Sequence, residues 1–522
     1  MGRRGLADSD IARRIWGRDY TLWKPEPAEI TERLGWLNVT DWLEAQLPQL
    51  YALGDEVRRA GFKHAVILGM GGSSLGAETL CQVFGSRRDH PEMIILDSTL
   101  PAVVRGVAEK IEPEKTLFLV SSKSGTTTEP LCLFQYFQKL VQSASGSAGD
   151  NFIAITDPGT PLAALAEKQK FRRVFLNPAD IGGRYSVLSY FGMVPAAIMG
   201  INISRLIDRA NRMRQQCRED SPHRNPGSYL GTVMGTMALK GRDKLTIVTS
   251  SAVSGFGLWV EQLIAESTGK EGRGIVPVVG EPRLEPNYYS DDRLFIYIRL
   301  KDSADAETDD WIGRLKDSGQ PTVTLEMSDS YDLGAEFFRW EFATAVAGAV
   351  LGINPFDQPN VQSAKKATED TLQSYQRTGE LALAEVDKPP GNFLSGAGEG
   401  DYLAVLAYLS QSEKTDRVIT EFRQRLARKY KIATTAGYGP RYLHSTGQLH
   451  KGGANKGHFI LVTAGHRSDL AIPDRAYTFG VLADAQAVGD ARALRSSGRY
   501  LSGLHLSRDD AAILAKALKE VR

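Results

Sequence analysis

The sequence predicts an α/β protein: two doubly wound parallel-sheet domains in tandem, an N-terminal helical arm and a third, C-terminal α/β unit. Three observations carry this reading. Short, unbroken apolar runs alternate with helical patterns, as strands buried on both faces do. The first and third runs end in turns rich in glycine or hydroxyls, at 69–76 and 122–128. A stretch rich in Pro and Gly, 388–400, separates the tandem from the third unit. The expected divisions are 1–60 for the arm, 61–242 and 243–387 for the two domains, and 401–522 for the last unit.

Residues 8–60 show apolar residues at helical spacing over 11–16 and 30–53, with Pro25 and Pro27 between them. This predicts a helical arm packed on the first domain. Runs at 65–68, 93–96, 116–121, 152–156 and 174–176 predict the first set of strands. Helices are expected to about Phe84, near 101–111, and around 186–200, 203–217 and 226–240. The second set of strands lies at 245–249, 275–279, 294–298 and 322–325. Helices accompany it at 255–267 and 335–351, the latter ending near Gly352, and a further helix covers 361–384. In the third unit, 403–406, 432–435 and 459–462 read as strands, and 417–430 and 509–521 as helices. Two α/β units in tandem resemble a duplication, although no residue-level repeat is visible.

Length and composition bound the function. The 522 residues suffice for about three domains, and 42% hydrophobic with 24% charged residues is a globular balance. Lys plus Arg number 63 against 62 acidic residues, so nothing asks for nucleic acid or a membrane surface. Three cysteines, Cys81, Cys132 and Cys217, are an odd number without metal spacing. They exclude a complete disulfide framework and fit a reducing cytoplasm. Cys81 and Cys132 lie in apolar helical patterns and read as inert core. The N-terminus has no apolar signal core, and no stretch is apolar and long enough to span a bilayer. Gly2 lacks the Ser or Thr at position 6 that a myristoylation signal requires. The abrupt start leaves room for a preceding segment in a longer polypeptide.

The strongest chemical signal is Ser122-Lys123-Ser124-Gly125-Thr126-Thr127-Thr128, between a buried strand and a helix start. Free N–H groups at a helix N-terminus favour an anion, and the hydroxyls beside it donate to phosphate oxygens. One helix cap needs one hydroxyl, not five. The turn therefore suits a small phosphate monoester. The earlier turn, Gly69-Met70-Gly71-Gly72-Ser73-Ser74-Leu75-Gly76, is no dinucleotide fingerprint, since Ser74 stands where the third glycine belongs. Nor does it carry a Walker lysine. Paired with the hydroxyl turn, it lines a pocket at the C-terminal strand ends, where Ser73 touches either sugar hydroxyls or phosphate. A third loop, Gly182-Gly183-Arg184-Tyr185-Ser186, offers close backbone approach and a permanent charge.

These three motifs, in this order and on these elements, resemble glucose-6-phosphate isomerases, a family of the sugar isomerase (SIS) phosphosugar-binding fold with two such domains. Gln262-Leu263-Ile264-Ala265-Glu266-Ser267-Thr268-Gly269-Lys270 resembles the bacterial Gln-Leu-x-x-Glu-Ser-x-Gly-Lys segment. Gly352-Ile353-Asn354-Pro355-Phe356-Asp357-Gln358-Pro359, with Val361 and Lys365, resembles the C-terminal signature. The motifs span about 60–370. The opening 15–25 and the third unit look most like the isomerase half of bifunctional transaldolase/glucose-6-phosphate isomerase proteins, without the transaldolase half.

The resemblance implies a role for each motif residue. Ser122, Ser124 and Thr127 hold the phosphate, with Thr126, Gly72 and Ser73 close by. Lys123 belongs to the pocket wall or to the phosphate. Arg184 steadies an enediolate, Glu266 moves the proton between C2 and C1, Gln358 holds substrate and Lys365 assists ring opening. Aldose–ketose isomerisation needs this set: a carboxylate base, a cation for the enediolate oxygen and an acid/base pair for the ring. It requires neither metal nor cofactor, and no His/Asp/Glu cluster at ligand spacing appears. One departure stands out. The ring-opening histidine of bacterial members follows the glutamate by about twenty residues in a Leu-His-Ser-x-Gly-Gln segment, and here that interval reads Glu285-Pro286-Asn287-Tyr288. A near-identical Leu443-His444-Ser445-Thr446-Gly447-Gln448 lies in the third unit instead. His444 is thus the expected replacement, with His450 its competitor. In the family this histidine comes from a neighbouring subunit; whether His444 serves its own chain is left open by the sequence. The implied function is interconversion of glucose 6-phosphate and fructose 6-phosphate through a cis-enediolate, by a homodimer. The alternatives are dual specificity that includes mannose 6-phosphate, and a non-catalytic phosphosugar-binding regulator.

Overall fold

Almost every apolar run becomes a strand, those inside the sheets buried on both faces, and the strands assemble into three separate parallel sheets. The computed structural model describes residues 8–146, 148–303, 305–387, 393–394 and 396–521. Strands β1 (His64–Gly69), β2 (Glu92–Leu96), β3 (Thr116–Ser121), β4 (Phe152–Thr156) and β5 (Arg173–Leu176) run in the order β2-β1-β3-β4-β5. Strands β6 (Lys244–Thr249), β7 (Val276–Val279), β8 (Arg293–Leu300) and β9 (Thr322–Met327) run β7-β6-β8-β9. Strands β10 (Tyr402–Ala407), β11 (Ala433–Tyr438), β12 (Gly457–Ala464) and β13 (Tyr500–Leu506) run β11-β10-β12-β13. Counted within its own unit, each sheet begins second-first-third-fourth. That order puts a topological switch between the first and third strands, where a crevice opens at the C-terminal ends. In the first unit these are β1 and β3, paired in register from His64 opposite Thr116. The glycine turn and the hydroxyl turn are therefore neighbours.

Alternate strand residues face opposite sides. Ala65, Ile67, Leu117, Leu119, Ile153 and Ile155 join one large core. It is shared with the arm helices α1 (Asp8–Trp16) and α2 (Val39–Ala60). Val66, Leu68, Phe118, Val120, Phe152 and Ala154 face a second core. The first unit also carries α3 (Leu75–Phe84), α4 (Pro101–Lys110), α5 (Thr128–Ser145), α6 (Pro161–Lys168), α7 (Tyr190–Ile198), α8 (Ile203–Gln216) and α9 (Pro226–Leu239). The second carries α10 (Phe256–Thr268), α11 (Ala306–Asp317) and α12 (Leu333–Leu351), and α13 (Val361–Thr378) comes after it. The third carries α14 (Glu413–Tyr430), α15 (Gly447–Gly452), α16 (Phe479–Ser496) and α17 (Ala511–Lys519). Helix α16 is apolar on two sides. Its Phe479, Leu482 and Ala485 enter the second core of the first unit, and its Ala483, Ala487 and Val488 enter the core of the third sheet.

The structure corrects several expectations. The helix expected over 30–53 begins only at Val39; Thr31–Arg33 and Gly35–Asn38 are short 3₁₀ turns. There Leu34 bridges to Ile181, and a side chain on Gly35 would meet Asp180, so tertiary contact overrides the helical pattern. The arm is tied to both the first and the second unit. Trp16 Nε1 donates to Cys217 O at 2.7 Å, and Trp23 Nε1 donates to Ala345 O in α12 at 2.8 Å. The helix expected to residue 384 stops at Thr378, because Gly379 takes a left-handed cap at φ +75°. Helices α6, α11, α15 and α16 and strand β13 are additions to the expected elements. Of the 388–400 stretch, residues 388–392 and 395 lie outside the described residues. Burial pushes the Cys132 thiol up to about 11 and that of Cys81 upward, which keeps both protonated. No helix among the described residues is long and apolar enough to cross a membrane.

Candidate active site

The hydroxyl turn is held open from within. Gly125 adopts φ +66°, and a side chain there would strike Thr160 and Leu162. Ser122 is buried, and its Oγ accepts the Gly125 N–H at 3.2 Å and lies 3.0 Å from Thr127 Oγ1. Ser122 thus shapes the turn from behind, whereas Ser124, Thr126 and Thr127 line a cavity of about 1080 Å³. Thr127 stands at the N-cap of α5 without a side-chain cap bond, which leaves the first-turn N–H groups for a ligand. Lys123 is turned away: Nζ pairs with Asp157 and donates to Ala179 O at 3.1 Å.

The glycine turn faces the other two loops. A Cβ on Gly72 would sit 2.1 Å from Gly183 O and 3.0 Å from Arg184 N. One on Gly71, at φ +55°, would sit 2.5 Å from His444 O and 2.7 Å from Gln262 Nε2. Only glycine permits this approach of backbones. Ser73 is half-buried and its carbonyl accepts from Ser121 Oγ at 2.9 Å.

Arg184 is buried and clamped. Nε donates to Ser267 Oγ at 2.7 Å, and Nη2 donates to the carbonyls of Pro355 and Asp357 at 2.8 and 2.9 Å. Its Nη1 lies 3.8 Å from Glu266 Oε2. Glu266, on α10, is also buried and accepts from Gln262 Nε2 at 3.2 Å. Burial lifts the Glu266 carboxyl above the usual range, and the charges of Arg184, His444 and Lys270 pull it back only in part. Lys270 donates to the Asn354 carbonyl and to Asp357; burial brings its ammonium down to about 8.

Gln262 joins this buried pair to the third unit by donating also to His444 O at 2.8 Å. His444 follows β11 on the Arg441–His444 turn, and its Nε2 lies 2.8 Å from Glu129 Oε1. Its Nδ1 makes no hydrogen bond to a described residue. Glu129 is in the first turn of α5, favoured there by the helix dipole. Burial alone would lift its carboxyl, but the charge and hydrogen bond of His444, with the charge of Lys365, hold it below the usual range. The histidine and its partner belong to one chain. His450 packs against Phe459 at 5.0 Å and Tyr442 at 6.1 Å, and burial keeps it well below 6.5. It is a core residue and does not line the cavity. The 285–288 interval, which lacks a histidine, packs toward the third unit, with Arg428 over Tyr288.

The structure therefore brings Ser124, Thr126, Thr127, Lys365 and His444 to one cavity. Arg184, Glu266 and Gln262 are buried and do not line that cavity. Lys365 is exposed on α13, and both it and its neighbour Lys366 line the cavity. Gln358 is exposed, and its carbonyl accepts the Val361 N–H at 3.4 Å. Sequence reasoning passed over Glu129 and Gln486, both of which line the cavity too. An acid in a first helical turn reads as ordinary, and Gln486 lies on a helix that the sequence pattern does not announce.

The phosphoglucose isomerase family model matches residues 54–274. The chain is 28% identical over 380 residues to a probable glucose-6-phosphate isomerase of Methanococcus maripaludis, across 66% of this chain and 85% of that protein. It is likewise 28% identical over 379 residues to the glucose-6-phosphate isomerase of Staphylococcus haemolyticus, across 64% and 85%. Among solved structures, a hypothetical protein from Thermus thermophilus aligns with a TM-score of 0.58 at 24% identity, over 70% of this chain and 94% of that one. A glucose-6-phosphate isomerase from Chlamydia trachomatis aligns with a TM-score of 0.54 at 20% identity, over 73% and 80%. These last two are likenesses of fold.

Proposed function

We propose, from the match of the phosphoglucose isomerase family model to residues 54–274, that the chain interconverts glucose 6-phosphate and fructose 6-phosphate. The observation that carries the reading is the buried Glu266 carboxylate 3.8 Å from the Arg184 guanidinium, linked by Gln262 to His444. A regulator has no use for a desolvated base beside a clamped cation.

The phosphate is seated by the hydroxyls of Ser124, Thr126 and Thr127 and the uncapped N–H groups of α5. Lys123, engaged by Asp157, braces the turn. His444, held through Nε2 by Glu129, takes the C1 hydroxyl proton at Nδ1 as the bond from C1 to the ring oxygen breaks. Lys365 gives a proton to that oxygen. In the open chain Glu266 removes the C2 proton, and the electron pair moves into an enediolate whose oxygen faces Arg184. Returning the proton to C1, with the O2 proton passing to O1, completes the ketose. Burial makes Glu266 a stronger base than an exposed carboxylate, so the acid limb of activity lies above pH 4.5. Gln358, next to the Asp357 carbonyl that Arg184 grips, closes the substrate's far side. All these groups come from one chain, so a homodimer would need no exchanged histidine.

The test is a coupled assay of the purified chain with glucose, fructose and mannose 6-phosphates. Glu266→Gln should lose about 100- to 10,000-fold in kcat and stop solvent exchange at C2, as expected for removal of a general base. Near-normal turnover by that variant sinks the assignment.

A further inference from the structure

Glu129 Oε1 accepts two side chains, not one. His444 Nε2 lies 2.8 Å away on one side and Gln486 Nε2 donates at 2.7 Å on the other. Gln486 is itself fixed, because Thr99 Oγ1 donates to its Oε1 at 2.8 Å. Thr99, Glu129 and Gln486 are all buried, at 0%, 5% and 4% exposure. A carboxylate only accepts, so the amide nitrogen must face Glu129 and the amide oxygen must face a donor. Glu129 sets the orientation, and Thr99, as that donor, tethers the amide in it. The run alternates between units: Thr99 follows β2, Gln486 is on α16, Glu129 opens α5, and His444 follows β11. Helix α16 is wedged between the first and third units, so the position of Gln486 is set by both.

We infer that Gln486, tethered by Thr99, is a positioning residue for ring opening: it holds Glu129 as an ionised acceptor and so keeps the proton of His444 on Nε2 and the lone pair of Nδ1 toward the sugar. This rests on the isomerase reading above. Without Gln486, the buried carboxylate loses one of its two side-chain donors. It then gains affinity for a proton, and a protonated Glu129 no longer fixes the histidine. The other groups facing Glu129 do not replace the donor. Lys365 on α13 acts through its charge, and Cys132, Tyr477 and Tyr408 are uncharged, each pushed upward by burial.

The test compares wild type with Gln486→Met, which keeps the shape and removes the donor, and with Thr99→Val, which removes the tether. A charge-assisted hydrogen bond of this kind moves an acid limb by about one to two pH units. Gln486→Met is expected to shift upward, by about that much, the acid limb of the ring-opening step, read as the rate on the closed-ring sugar relative to an open-chain substrate so that the Glu266 titration cancels, with KM within threefold. Thr99→Val should shift it less in the same direction, and the double variant should match Gln486→Met alone. Histidine ¹⁵N spectra, assigned with His444→Asn, should show the wild-type ring protonated at Nε2 and a mixture of tautomers in Gln486→Met. An active wild type whose acid limb and tautomer are unmoved by Gln486→Met overturns the proposal alone. A wild type inactive on all three hexose phosphates overturns the isomerase reading and the proposal with it.

Discussion

Gly72→Ala separates backbone geometry from chemistry, because it adds one methyl and changes no functional group. The added Cβ would lie 2.1 Å from Gly183 O and 2.4 Å from Gly183 C, where ordinary contact begins at 3.4 Å. Both are backbone atoms and cannot rotate aside. The two loops must part by more than about 1 Å, and a misplacement of that size costs on the order of 100-fold in catalysis. Arg184 is tied to Ser267, Pro355 and Asp357, so a retreat of its backbone strains that clamp and tilts the guanidinium away from Glu266. The expected result is a loss of about 100-fold in kcat/KM by coupled assay, with a cooperative melting transition retained. Gly106→Ala is the control: it lies in α4 with nothing within 4 Å of its Cβ, and it should keep full activity. A folded Gly72→Ala enzyme within threefold of wild type would refute the argument that this contact sets the position of Arg184.

Two further outcomes concern buried charges. Glu261 is buried, which lifts its carboxyl to about 7 against the charges of Arg423 and Arg441. Its folded pKa exceeds the unfolded 4.5, so its stabilising contribution is full below pH 4.5 and is lost as pH rises through 7. The loss is about 3 kcal/mol at about 1.4 kcal/mol per pH unit. Glu261→Gln should therefore raise Tm by about 3 °C at pH 8 and leave it nearly unchanged at pH 4; an equal gain at both would contradict the assignment. Lys123→Met should lower stability by about 1–3 kcal/mol, by stranding Asp157, while KM for hexose phosphate stays within threefold. A tenfold rise in KM at unchanged Tm would instead return Lys123 to the phosphate.

The strands are legible because parallel strands buried on both faces are unbroken apolar runs, as at Leu117–Val120. Helix α16 is not, because a helix with two buried sides has no polar stripe to set its period: Ala483, Ala485, Ala487 and Val488 are all buried. The short turns at 31–38 mislead for the opposite reason, since their apolar residues fall at helical spacing while the chain bends around Ile181. At the site, Arg184, Glu266 and His444 each announce themselves through flanking residues. Their mutual placement does not, because it depends on Gln262, which touches Glu266 and the His444 carbonyl across 182 positions of sequence. Ser122 and Lys123 show the limit of reading residue types. A hydroxyl and an ammonium in a phosphate-like turn are both candidates for the ligand, yet the first is spent on Gly125 and Thr127 and the second on Asp157.

Helix α16 also bears on where this chain can be cut. The Pro/Gly-rich stretch near 388–400 looks like a natural place to divide the protein, but the apolar contacts do not respect it. A fragment ending there would leave Phe134, Phe137 and Val141 of α5 without Phe479 and Leu482 above them. The complementary fragment would carry Phe479, Leu482 and Ala485 as a bare greasy ridge, a surface prone to aggregation. The two parts thus share one apolar core, and a cut at this stretch would expose it on both sides.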